Sequence, residues 1–209
     1  MSVLTDLFNQ YKCDKAAKHH YDVPYHNLFR AKRQRKLKIL EVGVYKGDST
    51  RAWLEYFPNA DLYGIDTFQR VSIEGTGLSD NPRVHLLQGD STNPVIASSI
   101  ATAWPDVLFD LIIDDGLHTP LANTVTLAHL WPFVKDGGTY VVEDVWPLHL
   151  MDDQQMKHRW IKDHPHAYTK MNMAGFLGMV QTITDGSFVE IDMRPHSKEP
   201  DSYLFALTK

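Results

Sequence analysis

The chain has 209 residues, 43% of them hydrophobic and 22% charged, which suits one soluble domain with a core of its own. Its formal net charge of −5 excludes a broad electrostatic attraction to nucleic acid or to an anionic membrane. One cysteine, Cys13, excludes an intrachain disulfide, and the absence of a signal-peptide pattern or of an apolar run near ~18 residues leads us to expect a cytoplasmic protein.

The first 36 residues read as a helical segment in two pieces, packed on the rest. Leu4, Leu7, Phe8 and Tyr11 recur at helical spacing, as do Tyr25, Leu28 and Phe29. Residues 14–21 between them have no period and read as a loop. The basic run 30–38 reads as a solvated helix end, where cations suit the C-terminus. The rhythm then changes. Short apolar strands are expected at 37–42, 61–66, 83–87, 109–114 and 138–143. Helices fit between most of them, one at 48–57, capped by Asp48 or Ser49 and ended by Pro58, and one at about 120–134. Strands alternating with helices imply right-handed crossovers and a parallel sheet. The tail reads as a helix at 167–184 and strands at 187–192 and 203–208. The link 193–202 contains Pro195 and Pro200 and is too short and broken for a crossover helix, so this last pair should be antiparallel. The expected fold is α/β: a doubly wound, Rossmann-like sheet of seven strands, mostly parallel, with an antiparallel C-terminal hairpin. Residues 37–209 form its core domain, and the antiparallel tail favours the methyltransferase variant over a dehydrogenase sheet.

In such a sheet, ligands bind beyond the C-terminal strand ends. After the first strand comes Glu41-Val-Gly-Val-Tyr-Lys-Gly47. Gly43 permits a sharp turn, and Gly47 lets the backbone approach a ligand beside Tyr45 and Ser49. The spacing is Gly-x-x-x-Gly, without the third glycine of a dinucleotide site. Glu41 and Asp48 would repel a pyrophosphate and suit the cationic groups of S-adenosylmethionine. Asp66, followed by Thr67, stands where a carboxylate accepts hydrogen bonds from ribose hydroxyls. Gly89, Asp90 and Ser91 after the third strand are placed to read an adenine edge. Asp114 either holds the cofactor or caps its turn.

Several of these stretches resemble one family. Ile39-Leu-Glu-Val-Gly-Val-Tyr-Lys-Gly-Asp-Ser49, Trp53-Leu-Glu-Tyr-Phe-Pro-Asn-Ala60, Tyr63-Gly-Ile-Asp66, Ile112-Ile-Asp-Asp-Gly-Leu-His118 and Tyr140-Val-Val-Glu-Asp144 look like the cofactor half of the macrolide and sugar O-methyltransferases, a group with cephalosporin-hydroxylase-like members. Asp14-Lys15 and His20-Tyr21 are similar to its entry segment. The resemblance covers residues 10–145 and fades in the last 60.

Asp115, Glu143 and Asp144 follow the fourth and fifth strands. Three unpartnered carboxylates in one crevice would repel one another, and a hard divalent cation resolves this, Mg²⁺ better than Zn²⁺ for oxygen ligands. Glu143-Asp144 also reads as an acidic pair at a helix N-terminus. The resemblance implies that Asp115, Glu143 and Asp144 bind magnesium and that His118 is the general base. One departure is Ala122, where the family often carries a second histidine. The expected partner is a hydroxylated small-molecule acceptor, with self-association open. Trp146, Trp160 and Phe176 read either as stacking platforms for it or as core. His149, His158, His164 and His166 match no metal spacing and read as a lid or substrate wall. The competing functions are a nucleotide-cofactor oxidoreductase on the same fold and a non-catalytic S-adenosylmethionine-binding protein.

Overall fold

The computed structural model describes residues 2–209. One sheet contains β1 (Lys38–Val42), β2 (Asp61–Asp66), β3 (Val84–Gln88), β4 (Phe109–Asp114), β5 (Val134–Val142), β6 (Phe188–Asp192) and β7 (Tyr203–Thr208), in the spatial order β3-β2-β1-β4-β5-β7-β6. The strands from β3 across to β5 pair in parallel, and β7 is antiparallel to both β5 and β6. This is the doubly wound methyltransferase arrangement expected from the alternating elements and the proline-broken final link. The strand order reverses between β1 and β4, and a crevice opens at such a switch point.

Both faces of the sheet are covered, by α1 (Val3–Gln10), α2 (Asp14–Ala17), α3 (Asp22–Phe29), α4 (Asp48–Tyr56), α5 (Ile96–Ala103), α6 (Pro120–Leu130), α7 (Arg159–Asp163) and α8 (Lys170–Ile183). Ile39, Leu111 and Ile113 belong to a core with Leu4, Phe8, Tyr25, Phe29 and Trp53. Leu40, Ile112, Tyr140 and Val142 belong to a second core with Ile100, Leu127, Leu130 and Phe176. Neighbouring residues of one strand thus enter opposite cores, which is why these strands are apolar throughout rather than alternating. The rings of Phe8 and Tyr25 each lie 5.0 Å from that of Trp53 in edge geometry. Buried aromatics of this size contribute about 1.5–3 kcal/mol each, so they fix the N-terminal helices against α4.

The sequence reading needs three corrections. Residues 14–17, expected as loop, form α2, a helix too short to show a period. Its Lys15 points inward and is 2% exposed. The predicted helix at 120–134 ends at Leu130, where Pro132 enforces a 3-10 turn. β5 starts at Val134 rather than 138, through a register shift opposite Phe109 to Leu111. The basic run follows the end of α3 through a 3-10 turn, as expected, but its Arg33 serves a different helix, donating to Tyr56 O of α4 at 2.8 Å and lying over that ring. Among the described residues, no helix is long and apolar enough to cross a membrane.

Candidate active site

The chain leaves β1 at Gly43, with φ +87°, and enters α4 through Gly47, with φ +78°. A Cβ on Gly43 would lie 2.0 Å from the carbonyl oxygen of Asp115. Only glycine therefore lets the loops after β1 and β4 meet at the switch point. At the end of β2 the Asp66 carboxylate accepts from Tyr45 N and from Phe68 N, each at 2.8 Å. These bonds fix both oxygens; Thr67 Oγ1 also lies 3.5 Å from Oδ1, and Oδ2 keeps a lone pair for a ligand. After β3, Ser91 Oγ bonds Thr126 Oγ1 at 3.0 Å, and His129 Nδ1 lies 3.0 Å from Ser91 O. Gly43, Tyr45, Asp66, Thr67, Gly89, Asp90 and Ser91 all line one cleft of about 690 Å³, a size suited to a nucleoside-bearing ligand.

Asp115, His118 and Asp144 line the same cleft. His118 Nε2 stands 3.8 Å from Asp115 Oδ1 and 3.8 Å from Asp144 Oδ2. One ligand atom from each of the three lies within 4.8 Å of the others, the one such group among the described residues. The other oxygen of each aspartate is anchored by the N-terminal segment. Lys15 Nζ donates to Asp115 Oδ2 at 2.6 Å. Tyr21 Oη donates to Asp144 Oδ1 at 2.8 Å, and His19 Nδ1 is 3.2 Å from the same atom. Burial, with the charge of Asp115 added, pushes the Asp144 carboxyl up to about 6. The Nδ1 atom of His118 is buried without a partner. Two free carboxylate oxygens and an imidazole nitrogen facing one open point fit a hard divalent cation that keeps some of its water, or a hydroxyl whose proton the imidazole takes.

Five expected site residues stand outside this cleft. Glu41 is fully buried behind the loop, where Thr50 Oγ1 donates to it at 2.5 Å and Trp53 Nε1 at 3.2 Å. The next residue, Val42, lines the cleft, so the pleat turns Glu41 to the opposite face, toward the aromatic core. Gly47 and Ser49 form the start of α4. Asp114 is buried, accepts from Tyr140 Oη at 3.2 Å, and is pushed up to about 7 by that burial. It supports the turn from beneath. Both oxygens of Glu143 are taken, by Lys15 Nζ and by Tyr25 Oη, so Glu143 backs the cluster from the buried side.

Residues 146–201 supply the far wall, with Trp146, Trp160, Tyr168 and Asp201. Trp160 is 56% exposed and stacks on His164 with centroids 5.5 Å apart. His158 packs on Trp146 at 4.9 Å and caps α7, so it and His164 support two of these tryptophans from behind, while none of His149, His158, His164 and His166 lines the cleft itself. Phe176 is core. Lys15, His19, Tyr21 and Asp201 carry no local pattern that singles them out. Only the similarity of Asp14-Lys15 and His20-Tyr21 to a family entry segment pointed there.

Residues 40–145 match the model of a methyltransferase domain family. The chain is 32% identical over 151 residues to mycinamicin VI 2''-O-methyltransferase of Micromonospora griseorubida, a match that takes in 68% of this chain and 36% of that protein. It is 30% identical over 148 residues to 8-demethyl-8-(2-methoxy-alpha-L-rhamnosyl)-tetracenomycin-C 3'-O-methyltransferase of Streptomyces olivaceus, over 67% of this chain and 36% of that one. The chain thus spans about a third of the length of these curated relatives. Among solved structures, the MycE methyltransferase of the mycinamycin pathway, in complex with Mg, SAH and mycinamycin VI, superposes with a TM-score of 0.70 at 25% identity, over 100% of this chain and 54% of that one.

Proposed function

We propose, since the chain belongs to the methyltransferase domain family, that it transfers the methyl group of S-adenosylmethionine to a hydroxyl of a small molecule, a sugar or natural-product glycoside, with Mg²⁺ and a histidine base assisting. The observation that carries this reading is the meeting of Asp115 Oδ1, Asp144 Oδ2 and His118 Nε2 in the same cleft as Asp66. The relatives' activities, O-methylation of sugars on antibiotics, and the Mg and SAH of the MycE complex support it.

In this reading Asp66 receives the ribose hydroxyls, and Gly89, Asp90 and Ser91 face the adenine. The bare backbone around Gly43 admits the methionyl portion. Asp115 and Asp144 are the residues that would hold magnesium, whose charge would lower the pKa of the acceptor hydroxyl. His118 Nε2 would take the acceptor's proton as the acceptor oxygen bonds the methyl carbon and the carbon–sulfur bond breaks, with S-adenosylhomocysteine as the leaving group. Lys15, His19 and Tyr21 hold the aspartates so that their free oxygens stay aimed at that point. The cleft supplies orientation, which is most of what an already activated methyl donor requires. The missing third glycine and the carboxylate of Asp90 disfavour a pyrophosphate cofactor and hence the oxidoreductase reading.

The direct test is S-adenosylhomocysteine release over a panel of hydroxylated acceptors, with and without EDTA. Turnover that EDTA abolishes and Mg²⁺ restores is the expected result. Release with no acceptor in the panel, or hydride transfer from a nicotinamide cofactor, would count against the reading. Asp66→Ala should weaken S-adenosylhomocysteine binding at least about 100-fold by calorimetry, since two hydrogen bonds to a charged acceptor contribute about 1.5–3 kcal/mol each. An unchanged Kd would move the ribose elsewhere.

Trp160 bears on the acceptor. A half-exposed indole on a cleft wall offers a ring face for an apolar sugar face. Trp160→Ala should raise the acceptor KM about tenfold with kcat nearly unchanged, and Trp160→Phe should recover most of the loss. A fall in kcat at constant KM would contradict a stacking role.

A further inference from the structure

Among the described residues, two buried side-chain polar atoms have no hydrogen-bond partner: Nδ1 of His118 and Oδ1 of Asn123. Such orphans are rare, because a polar atom taken from water without a partner keeps its whole desolvation cost. Both flank one helix start. Thr119 is the N-cap of α6: its backbone is extended, its hydroxyl accepts from Ala122 N at 3.1 Å, and its carbonyl accepts from Asn123 N at 2.9 Å. His118 therefore precedes the cap, and Asn123 is the fourth helical residue. Side chains at these two positions are brought together across a capped helix start, where an apolar pair ordinarily forms a staple. Here the pair is polar and complementary, an imidazole nitrogen that can carry a proton and an amide oxygen that can accept its hydrogen bond. Asn123 is 2% exposed, so bulk water does not serve it. Asp114, buried under the same turn, is already engaged by Tyr140 Oη at 3.2 Å and by Gly116 N at 3.4 Å.

Resting on the reading of His118 as general base, we propose that Asn123 is its positioning residue: Asn123 Oδ1 accepts the hydrogen bond of Nδ1–H, directly or through one buried water, and so fixes the tautomer that leaves the Nε2 lone pair free. The tautomer decides what His118 can do. With the proton on Nδ1, a bare Nε2 faces Asp115 Oδ1 and Asp144 Oδ2, each 3.8 Å away, and can take a proton from an acceptor there. With the amide turned end for end, Asn123 Nδ2 would donate to a bare Nδ1. The ring proton would then sit on Nε2 and point at the two carboxylates, and the ring could not act as a base. A neutral amide also orients the ring without adding a charge to a site already rich in carboxylates.

The test is the ¹⁵N NMR spectrum of the His118 ring in the full chain, assigned by the signals missing from His118→Ala and recorded at about pH 9, above the ordinary histidine range. Wild type should show a protonated Nδ1 and a bare Nε2. Asn123→Leu replaces the amide with an apolar side chain of similar size, so it should fold, and it should shift the ring toward the Nε2–H form. Asn123→Asp, which can only accept, should keep Nδ1–H. Turnover should follow the spectra. In Asn123→Leu kcat should fall about tenfold, with the acceptor KM and S-adenosylhomocysteine affinity unchanged, and Asn123→Asp should recover most of the loss. An Nε2–H ring in the wild type would overturn the assignment. So would an Nδ1–H ring that Asn123→Leu leaves unchanged. The base reading fails separately: wild-type turnover in His118→Ala would overturn that reading and this role with it, whichever tautomer the wild-type spectrum shows.

Discussion

His118→Ala is expected to lower kcat by about 10²- to 10⁴-fold, the usual contribution of a positioned general base, while S-adenosylhomocysteine binds as before. The separation follows from the layout of the cleft. The cofactor-facing residues lie after β1, β2 and β3, whereas His118 follows β4 and points Nε2 at the oxygens of Asp115 and Asp144. A sugar hydroxyl is a poor nucleophile at neutral pH because it holds its proton, and a group within reach must take it. Histidine is the side chain whose unperturbed titration lies in that pH range. Among the described residues, His118 is the basic nitrogen paired with both free aspartate oxygens. The same geometry also allows His118 to be a metal ligand, and two measurements separate the roles. A base leaves Mn²⁺ affinity intact in His118→Ala, and its loss matters less for acidic phenolic acceptors than for alcohols. A ligand does the reverse: Mn²⁺ binding falls and the acceptor's acidity is irrelevant. Wild-type turnover in the variant would remove His118 from the chemistry altogether.

Much of the fold was legible because the period of hydrophobicity reports which faces are buried. The strands around Ile39, Leu62, Leu111 and Val141 are apolar on both faces since helices cover both cores, and such runs are hard to read otherwise. The proline-broken link before β7 excluded a crossover for the same kind of reason, namely chain length. Legibility failed where a residue's environment is set by chain segments far apart in sequence. Lys15 meets Glu143 across 128 residues, so no local pattern marks it as an internal cation. Glu41 shows the converse. Its place beside a glycine loop suggested a ligand role, yet the pleat of β1 turns it onto Thr50 and Trp53. The repulsion of phosphate expected from Glu41 would then fall to Asp90 and to Asp115 and Asp144 across the cleft. Asp115, His118 and Asp144 could be anticipated as a group because strand ends of a doubly wound sheet share one crevice. The anchoring of each aspartate by Lys15, His19 and Tyr21 could not.

Gly43→Ala should be the most damaging small substitution in the chain, lowering stability by about 3–5 kcal/mol and displacing Asp115 from His118. Two effects combine there. At φ +87° any Cβ is strained, which alone costs about 1–2 kcal/mol. The new methyl would also lie 2.0 Å from Asp115 O and 2.8 Å from Asp115 C, and both are backbone atoms. A side-chain obstacle can rotate away. A strand-end carbonyl moves only with its strand, and Asp115 N is itself bonded to Val42 O at 3.1 Å. Gly137 provides the control. Its φ is +74°, but nothing lies within 4 Å of the added Cβ, so Gly137→Ala carries the strain without the collision. Urea unfolding of the two variants should therefore differ by about 2 kcal/mol or more, and only Gly43→Ala should lose Mn²⁺ binding as well. Equal midpoints would mean that the loop yields without cost, and that the close approach of the β1 and β4 loops is not what aims Asp115. If they differ as expected, the first turn of the cofactor loop and the reacting cluster form one mechanical unit. The glycine would then be required at this position for the placement of a carboxylate on another strand, as well as for the room it leaves a ligand.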